Sequence, residues 1–272
     1  MRAKNMSKQY VTLATLGVCV ALTACGGNGG GGGDVAQGDG ASASVAARNA
    51  SVEGAWHSQQ TNGDVLDILV LENGTIYAMS VAPNVTAPLL AFDQGSYTLS
   101  GDKLAAQLTH YNDLGTTLTG TVNAAVVAGT SITGTASTNG STTQNAFSVK
   151  PLAAADSSYD YNMAASLSRI SGSWSSGNLL NLSSPVTFSI DPSGVLAGTN
   201  LGCSFTGKFQ PRPSGKNVFD VSIAFGQSPC TAPGKTAAGV AISYLGANGK
   251  RQLTAALQDS TKTYGTMVYA QR

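Results

Sequence analysis

Residues 186–195 read Val-Thr-Phe-Ser-Ile-Asp-Pro-Ser-Gly-Val. Val186, Phe188 and Ile190 face one way and Thr187, Ser189 and Asp191 the other, the period of two that marks a half-buried β-strand. Asp191 to Gly194 then supplies the residue types of a tight turn. The same period recurs in Phe219, Val221, Ile223 and Phe225, in Val240, Ile242 and Tyr244, and in Met267 and Tyr269. Turn residues punctuate these runs at 192–194, 211–215, 229–234, 246–249 and 259–262.

Working back along the chain, a second copy of this pattern emerges. Val52-Glu53-Gly54-Ala55-Trp56 answers Ile170-Ser171-Gly172-Ser173-Trp174 at a constant offset of 118, and these are the only two tryptophans. Leu71-Glu72-Asn73-Gly74-Thr75-Ile76 answers the stretch from Ile190 to Val195 at an offset of 119 to 120. Leu66, Ile68 and Val70 lead into Tyr77, Met79 and Val81, and weaker Thr-rich strands follow to Val149.

Each unit thus offers about eight short strands in roughly 100 residues, the spacing of an all-β barrel or sandwich. The predicted fold is all-β: two tandem, related antiparallel units, each a small eight-stranded barrel or barrel-like meander. Closure removes exposed edges, and eight strands enclose a space that side chains fill or that holds one small ligand. The first unit is assigned to residues 48–150 and the second to 170–272. Between them lies a linker, 151–169, where Asp156 or Ser157 as N-cap and Met163, Leu167 and Ile170 at helical spacing predict a short helix over 156–168. It either caps a barrel end or merely links the units.

The N-terminus carries a different kind of information. Arg2, Lys4 and Lys8 precede an apolar or small run from Val11 to Ala24, the charged and hydrophobic regions of an export signal. At about fourteen residues the run is shorter than the roughly 20 that span a bilayer as a helix. It ends Leu22-Thr23-Ala24-Cys25-Gly26, which resembles the lipobox of bacterial lipoproteins. That resemblance implies acylation of Cys25, cleavage after residue 24 and permanent attachment to a membrane through lipid. Gly26, where an aspartate would favour retention in the inner membrane, implies the outer one. Residues 25–47 are glycine-rich without apolar periodicity and read as a flexible tether, with a reach on the order of 25 to 30 Å.

Loss of residues 1–24 leaves 12 basic against 14 acidic residues, a net charge of −2, which argues against a nucleic-acid partner. The remaining cysteines are Cys203 and Cys230. In the oxidising envelope a disulfide between them is the expected state; two buried thiols or a reactive pair are the alternatives. Lipobox, glycine tether and eight-strand units together resemble the Gram-negative surface lipoproteins of the factor H-binding and transferrin-binding kind. Gly54-x-Trp56 and Gly172-x-Trp174 are similar to the first strand of lipocalins and avidins, where the tryptophan closes one barrel end. The chain lacks the further motifs of both, so neither resemblance implies a cofactor or ligand set.

No catalytic constellation stands out. There is no Gly-x-Ser-x-Gly, and the one Ser-x-x-Lys, Ser100 to Lys103, spans a Gly-Asp turn between strands. Gly234-Lys235-Thr236 imitates the end of a phosphate loop, but Pro229 occupies the place of its first glycine. His57 and His110 are the only histidines, too few for a multi-histidine zinc centre. His57 reads as an exposed strand residue. The acid pairs Asp64 with Asp67 and Asp156 with Asp160 read as solvated turn acids, with weak calcium binding the alternative. Trp56 and Trp174 read as core plugs, with ligand platforms the alternative.

The expected function is non-enzymatic: an outer-membrane lipoprotein, membrane-bound through its N-terminal lipid, that binds a protein or host macromolecule. A small-ligand carrier and an envelope-assembly accessory are the alternatives. Barrel interiors separate the first two. Packing by Phe188, Phe205, Phe219, Phe225 and Tyr269 would leave the second barrel no room for cargo, whereas a cavity in that barrel on the order of several hundred cubic ångströms, with convergent polar groups, favours a carrier.

Overall fold

The computed structural model describes residues 52–59, 63–82, 89–112, 117–179 and 186–272. Cys25, the expected export signal and the expected tether lie outside them. Among the described residues sixteen strands form two closed antiparallel barrels of eight. The first comprises β1 (Gly54–Gln59), β2 (Val65–Val70), β3 (Thr75–Ala82), β4 (Leu89–Ser100), β5 (Lys103–Asn112), β6 (Thr117–Val127), β7 (Ser131–Thr138) and β8 (Gln144–Pro151). It closes where β1 meets β8, with Trp56 opposite Pro151 and His57 opposite Lys150. The second comprises β9 (Gly172–Leu179), β10 (Val186–Ile190), β11 (Val195–Asn200), β12 (Cys203–Pro211), β13 (Phe219–Phe225), β14 (Thr236–Leu245), β15 (Arg251–Gln258) and β16 (Gly265–Gln271). It closes between β16 and β9. Both are simple meanders, each strand paired with its sequence neighbour.

The two barrels share matching details. Trp56 donates its indole N–H to the Val52 carbonyl at 3.1 Å, and Trp174 donates to the Ile170 carbonyl at 2.7 Å. Both indoles are buried, one at the base of each barrel. The β2–β3 and β10–β11 turns also correspond. Gly74 N–H donates to Leu71 O and Gly194 N–H to Asp191 O, while the carbonyls of the same glycines accept from Tyr97 and Phe209 two strands on. Both glycines hold positive φ, 80° and 88°, a conformation with little steric cost only for glycine.

Alternation is clean where one face meets water: β10 is buried at Val186, Phe188 and Ile190 and exposed between them. In β15 and β16 the inner residues are buried on both faces. The reason is a broad contact between the barrels. Tyr77 and Met79 of the first pack in one apolar cluster with Val240, Ile242, Met267 and Tyr269 of the second. These side chains point out of their own barrels. Tyr269 therefore belongs to the contact between barrels, not to the second interior, because the inward set on β16 is Val268 and Ala270.

The linker corrects a second expectation. Residues 156–168 do not form a continuous helix: two single-turn 3-10 helices, Leu152–Ala154 and Leu167–Arg169, flank a run of turns. Met163, which would have faced inward on that helix, is 56% exposed. Tyr159 and Tyr161 do the packing instead, entering the cluster between the barrels. The Asp156 carboxylate accepts from Ser158 and, at 2.8 Å, from the backbone N–H of Leu245. Burial works against its ionised form, but these bonds and the Arg251 charge outweigh it and hold the carboxyl below its ordinary range. Asp156 is thus a buried structural acid rather than a solvated one.

Cys203, at the head of β12, and Cys230, in the β13–β14 connection, are joined by a disulfide with Cα atoms 4.5 Å apart. Both are buried.

Candidate functional site

The interiors of the two barrels differ. In the second, Phe188, Phe205, Phe209, Phe219 and Phe225 reach the axis, and the void left among Phe188, Leu196, Phe209 and Val221 is about 10 Å³. In the first, the base is plugged by Trp56 and Tyr97, but above them lies a cavity of about 280 Å³. That is near the lower end of the volume range of small-molecule pockets, about 300–1,000 Å³.

The cavity follows from residue size and strand length. β4, β5 and β6 run for 12, 10 and 11 residues, against 9, 7 and 10 for β12, β13 and β14, so the first barrel extends beyond its plug. Small inward residues open it, Ala78 on β3, Gly120 on β6 and Ala136 on β7, while Phe147 on β8 is the one phenylalanine among the described lining residues. Leu104, Leu108, Val122 and Ile132 line one part of the wall, and Ile68 and Ile76 the opposite strands.

Polar groups gather toward the end where β3 joins β4, β5 joins β6 and β7 joins β8. Ser80, Asp93, His110, Thr138 and Asn145 all border the cavity there. Asp93 and His110 are cross-strand partners on β4 and β5. His110 Nδ1 lies 3.0 Å from Asp93 Oδ1, and each side chain is 27% exposed. The hydrogen bond with Asp93 is the main influence raising the imidazole pKa above its usual value; burial opposes it and the Asp93 charge adds to it. The carboxylate contact uses Nδ1 and leaves Nε2 outside it. Among the described residues no group of three or more His, Cys, Asp and Glu side chains is placed to hold a metal ion.

The other histidine is placed quite differently. His57 and Asp67 are also cross-strand partners, on β1 and β2, but they face out of the barrel toward its neighbour. His57 Nδ1 lies 2.7 Å from Asp67 Oδ1, with side chains 11% and 1% exposed. Tyr244 donates its hydroxyl to Asp67 Oδ2 at 2.8 Å, and its ring meets His57 edge-on at 5.5 Å. His57 is therefore not an exposed strand residue, nor Asp67 a solvated turn acid. The pair escaped notice because ten residues separate the two in sequence, and only the β1–β2 register sets them opposite each other. Asp160 does lie in a turn, accepting from the Asn162 N–H.

The cysteine pair stands apart from the lumen, as a cross-link on the second barrel. No known protein family, curated protein or solved structure matches the chain.

Proposed function

We propose that the chain is a non-enzymatic, lipid-anchored protein of the outer membrane, held through Cys25 and the tether at residues 25–47, whose first barrel carries a small ligand in its lumen. One observation carries the ligand reading: of two barrels built on one plan, the second is filled by phenylalanines while the first keeps a cavity of about 280 Å³ bordered by an Asp–His pair. Unfilled core volume costs roughly 24 cal/mol per Å³, and exchanging small inward residues for larger ones would remove it. Ala78 and Ala136 leave that space to a guest. This reading overtakes that of a macromolecular partner, which rests on layout alone.

The test is chemical. The mature body purified from its own envelope should yield a bound small molecule by native mass spectrometry. Ala136→Phe, which fills the lumen, should remove it without loss of folding; a wild-type protein free of any bound molecule would overturn the carrier reading. The anchor is tested separately, since Cys25→Ser should abolish palmitate incorporation and release the protein from the membrane fraction.

A further inference from the structure

We propose that the guest of the first barrel is an uncharged alcohol, a small apolar body whose single hydroxyl sits against His110 Nε2. This rests on the reading of the lumen as the binding site. Among the described residues that border the cavity, only Asp93 and His110 bear charge, and they are bound to each other at 3.0 Å. No lysine or arginine is among the described residues of the wall.

Three guest chemistries can be compared against that wall. A carboxylate or phosphate would exchange its hydration for Leu104, Val122 and Ile132 beside the Asp93 charge, with no lysine or arginine among the described lining residues and His110 already held by Asp93, a costly burial of charge. An ammonium group would have to take Asp93 from His110, leaving the imidazole without its partner. A neutral molecule disturbs neither group. Its apolar part replaces water along the wall, with a gain proportional to the area covered.

The hydroxyl follows from the imidazole. With Nδ1 turned to Asp93, Nε2 accepts a hydrogen bond when His110 is neutral and donates one when it is protonated. A hydroxyl complements both forms, because it donates and accepts through one atom. A ketone or ether can only accept and so matches only the protonated form. Ser80, Thr138 and Asn145 border the same end and give the oxygen its second partner.

The experiment uses the mature body and three probes with one chain length: heptan-1-ol, heptanoate and heptylammonium. Methyl NMR shifts of Val122 and Ile132 report lumen occupancy, and their titration gives affinity. Heptan-1-ol should bind at least about tenfold more tightly than either ion, the factor that some 1.4 kcal/mol of charge desolvation supplies. His110→Gln should weaken heptan-1-ol several-fold while the methyl shifts persist at saturation. Equal or tighter binding of heptanoate or heptylammonium, with the lumen methyls shifting, would overturn the alcohol and leave the lumen site standing. Unchanged heptan-1-ol affinity in His110→Gln would overturn the role of His110. If no probe moves the Val122 and Ile132 methyls, the lumen reading and this inference fall together.

Discussion

Tyr244 of the second barrel donates its hydroxyl proton to Asp67 of the first across 2.8 Å, in a contact where Asp67 is 1% exposed. Asp67 spends its other oxygen on His57, so one buried carboxylate ties both barrels together. Burial first, then the Asp67 charge and hydrogen bond, push the Tyr244 pKa well above its usual value, keeping the phenol protonated as a donor. A hydrogen bond to a charged group contributes about 1.5–3 kcal/mol. Tyr244→Phe should lower urea stability by about that much, because it strands a buried carboxylate oxygen with only the 3.5 Å contact from Thr254. Asp67→Asn combined with Tyr244→Phe should cost less than the sum of the two single changes, the signature of direct coupling. Strict additivity would show that the bond contributes nothing.

A second point of contact depends on a missing side chain. Phe92 and Tyr111 of the first barrel stack at 4.5 Å, and Gly265 of β16 lies directly against them. A Cβ at residue 265 would stand 2.5 Å from Tyr111 Cδ1 and 2.7 Å from Phe92 Cζ. Neither ring can yield easily, since Tyr111 is also held by its hydroxyl bond to Gln258 at 2.7 Å. Gly265→Ala should therefore cost about 1–3 kcal/mol as overpacking. Thermal unfolding by circular dichroism measures it, and an unchanged melting temperature would mean that the barrels slide apart freely.

Sequence patterning supplies the strands and the duplication but not the inward faces or the lumen. Period two in Val186, Phe188 and Ile190 was enough to mark a strand, and the Gly-x-Trp pair at an offset of 118 was enough to mark two copies of one barrel. Both signals are local. Which face of β14 or β16 points inward was not legible, because contact between the barrels buries both faces and removes the polar half of the alternation. Tyr269 was misplaced for that reason. The lumen was illegible for another: its volume is set by side chains on seven strands at once, and no short window contains Ala78, Asp93, Gly120 and Ala136 together. The helix expected at 156–168 was drawn from three apolar positions, but Tyr159 and Tyr161 offered more apolar area to the contact between barrels, and only a turn conformation buries both.

The disulfide should contribute mainly through the unfolded chain. It joins residues 27 apart, and closing a loop of that length removes about 3.5 kcal/mol of chain entropy from the denatured state. Cys203→Ser with Cys230→Ser should lower stability by about that amount, with the loss confined to the second barrel. Hydrogen exchange can localise it: amides of β12 and β13 should lose protection, while those of β5 and β6 in the first barrel keep theirs. Equal loss in both barrels would mean that they unfold as one cooperative unit.

His110 gives stability a dependence on pH whose sign is fixed by its partner. The Asp93 hydrogen bond raises its folded pKa above the ordinary histidine value, which is about 6.5 in an unfolded chain. The folded state therefore holds the proton more tightly than the unfolded one, and the associated stabilisation is complete below about pH 6.5. It is lost as pH rises through the raised folded value. The stability difference between the wild type and His110→Gln should accordingly be larger at pH 6 than at pH 9. An NMR titration of the imidazole should place the His110 midpoint above that of a free histidine, and Asp93→Asn should bring it back down. A wild-type midpoint at or below the free value would remove the Asp93 contact from the account, and with it the assignment of Nε2 as the nitrogen that faces a guest.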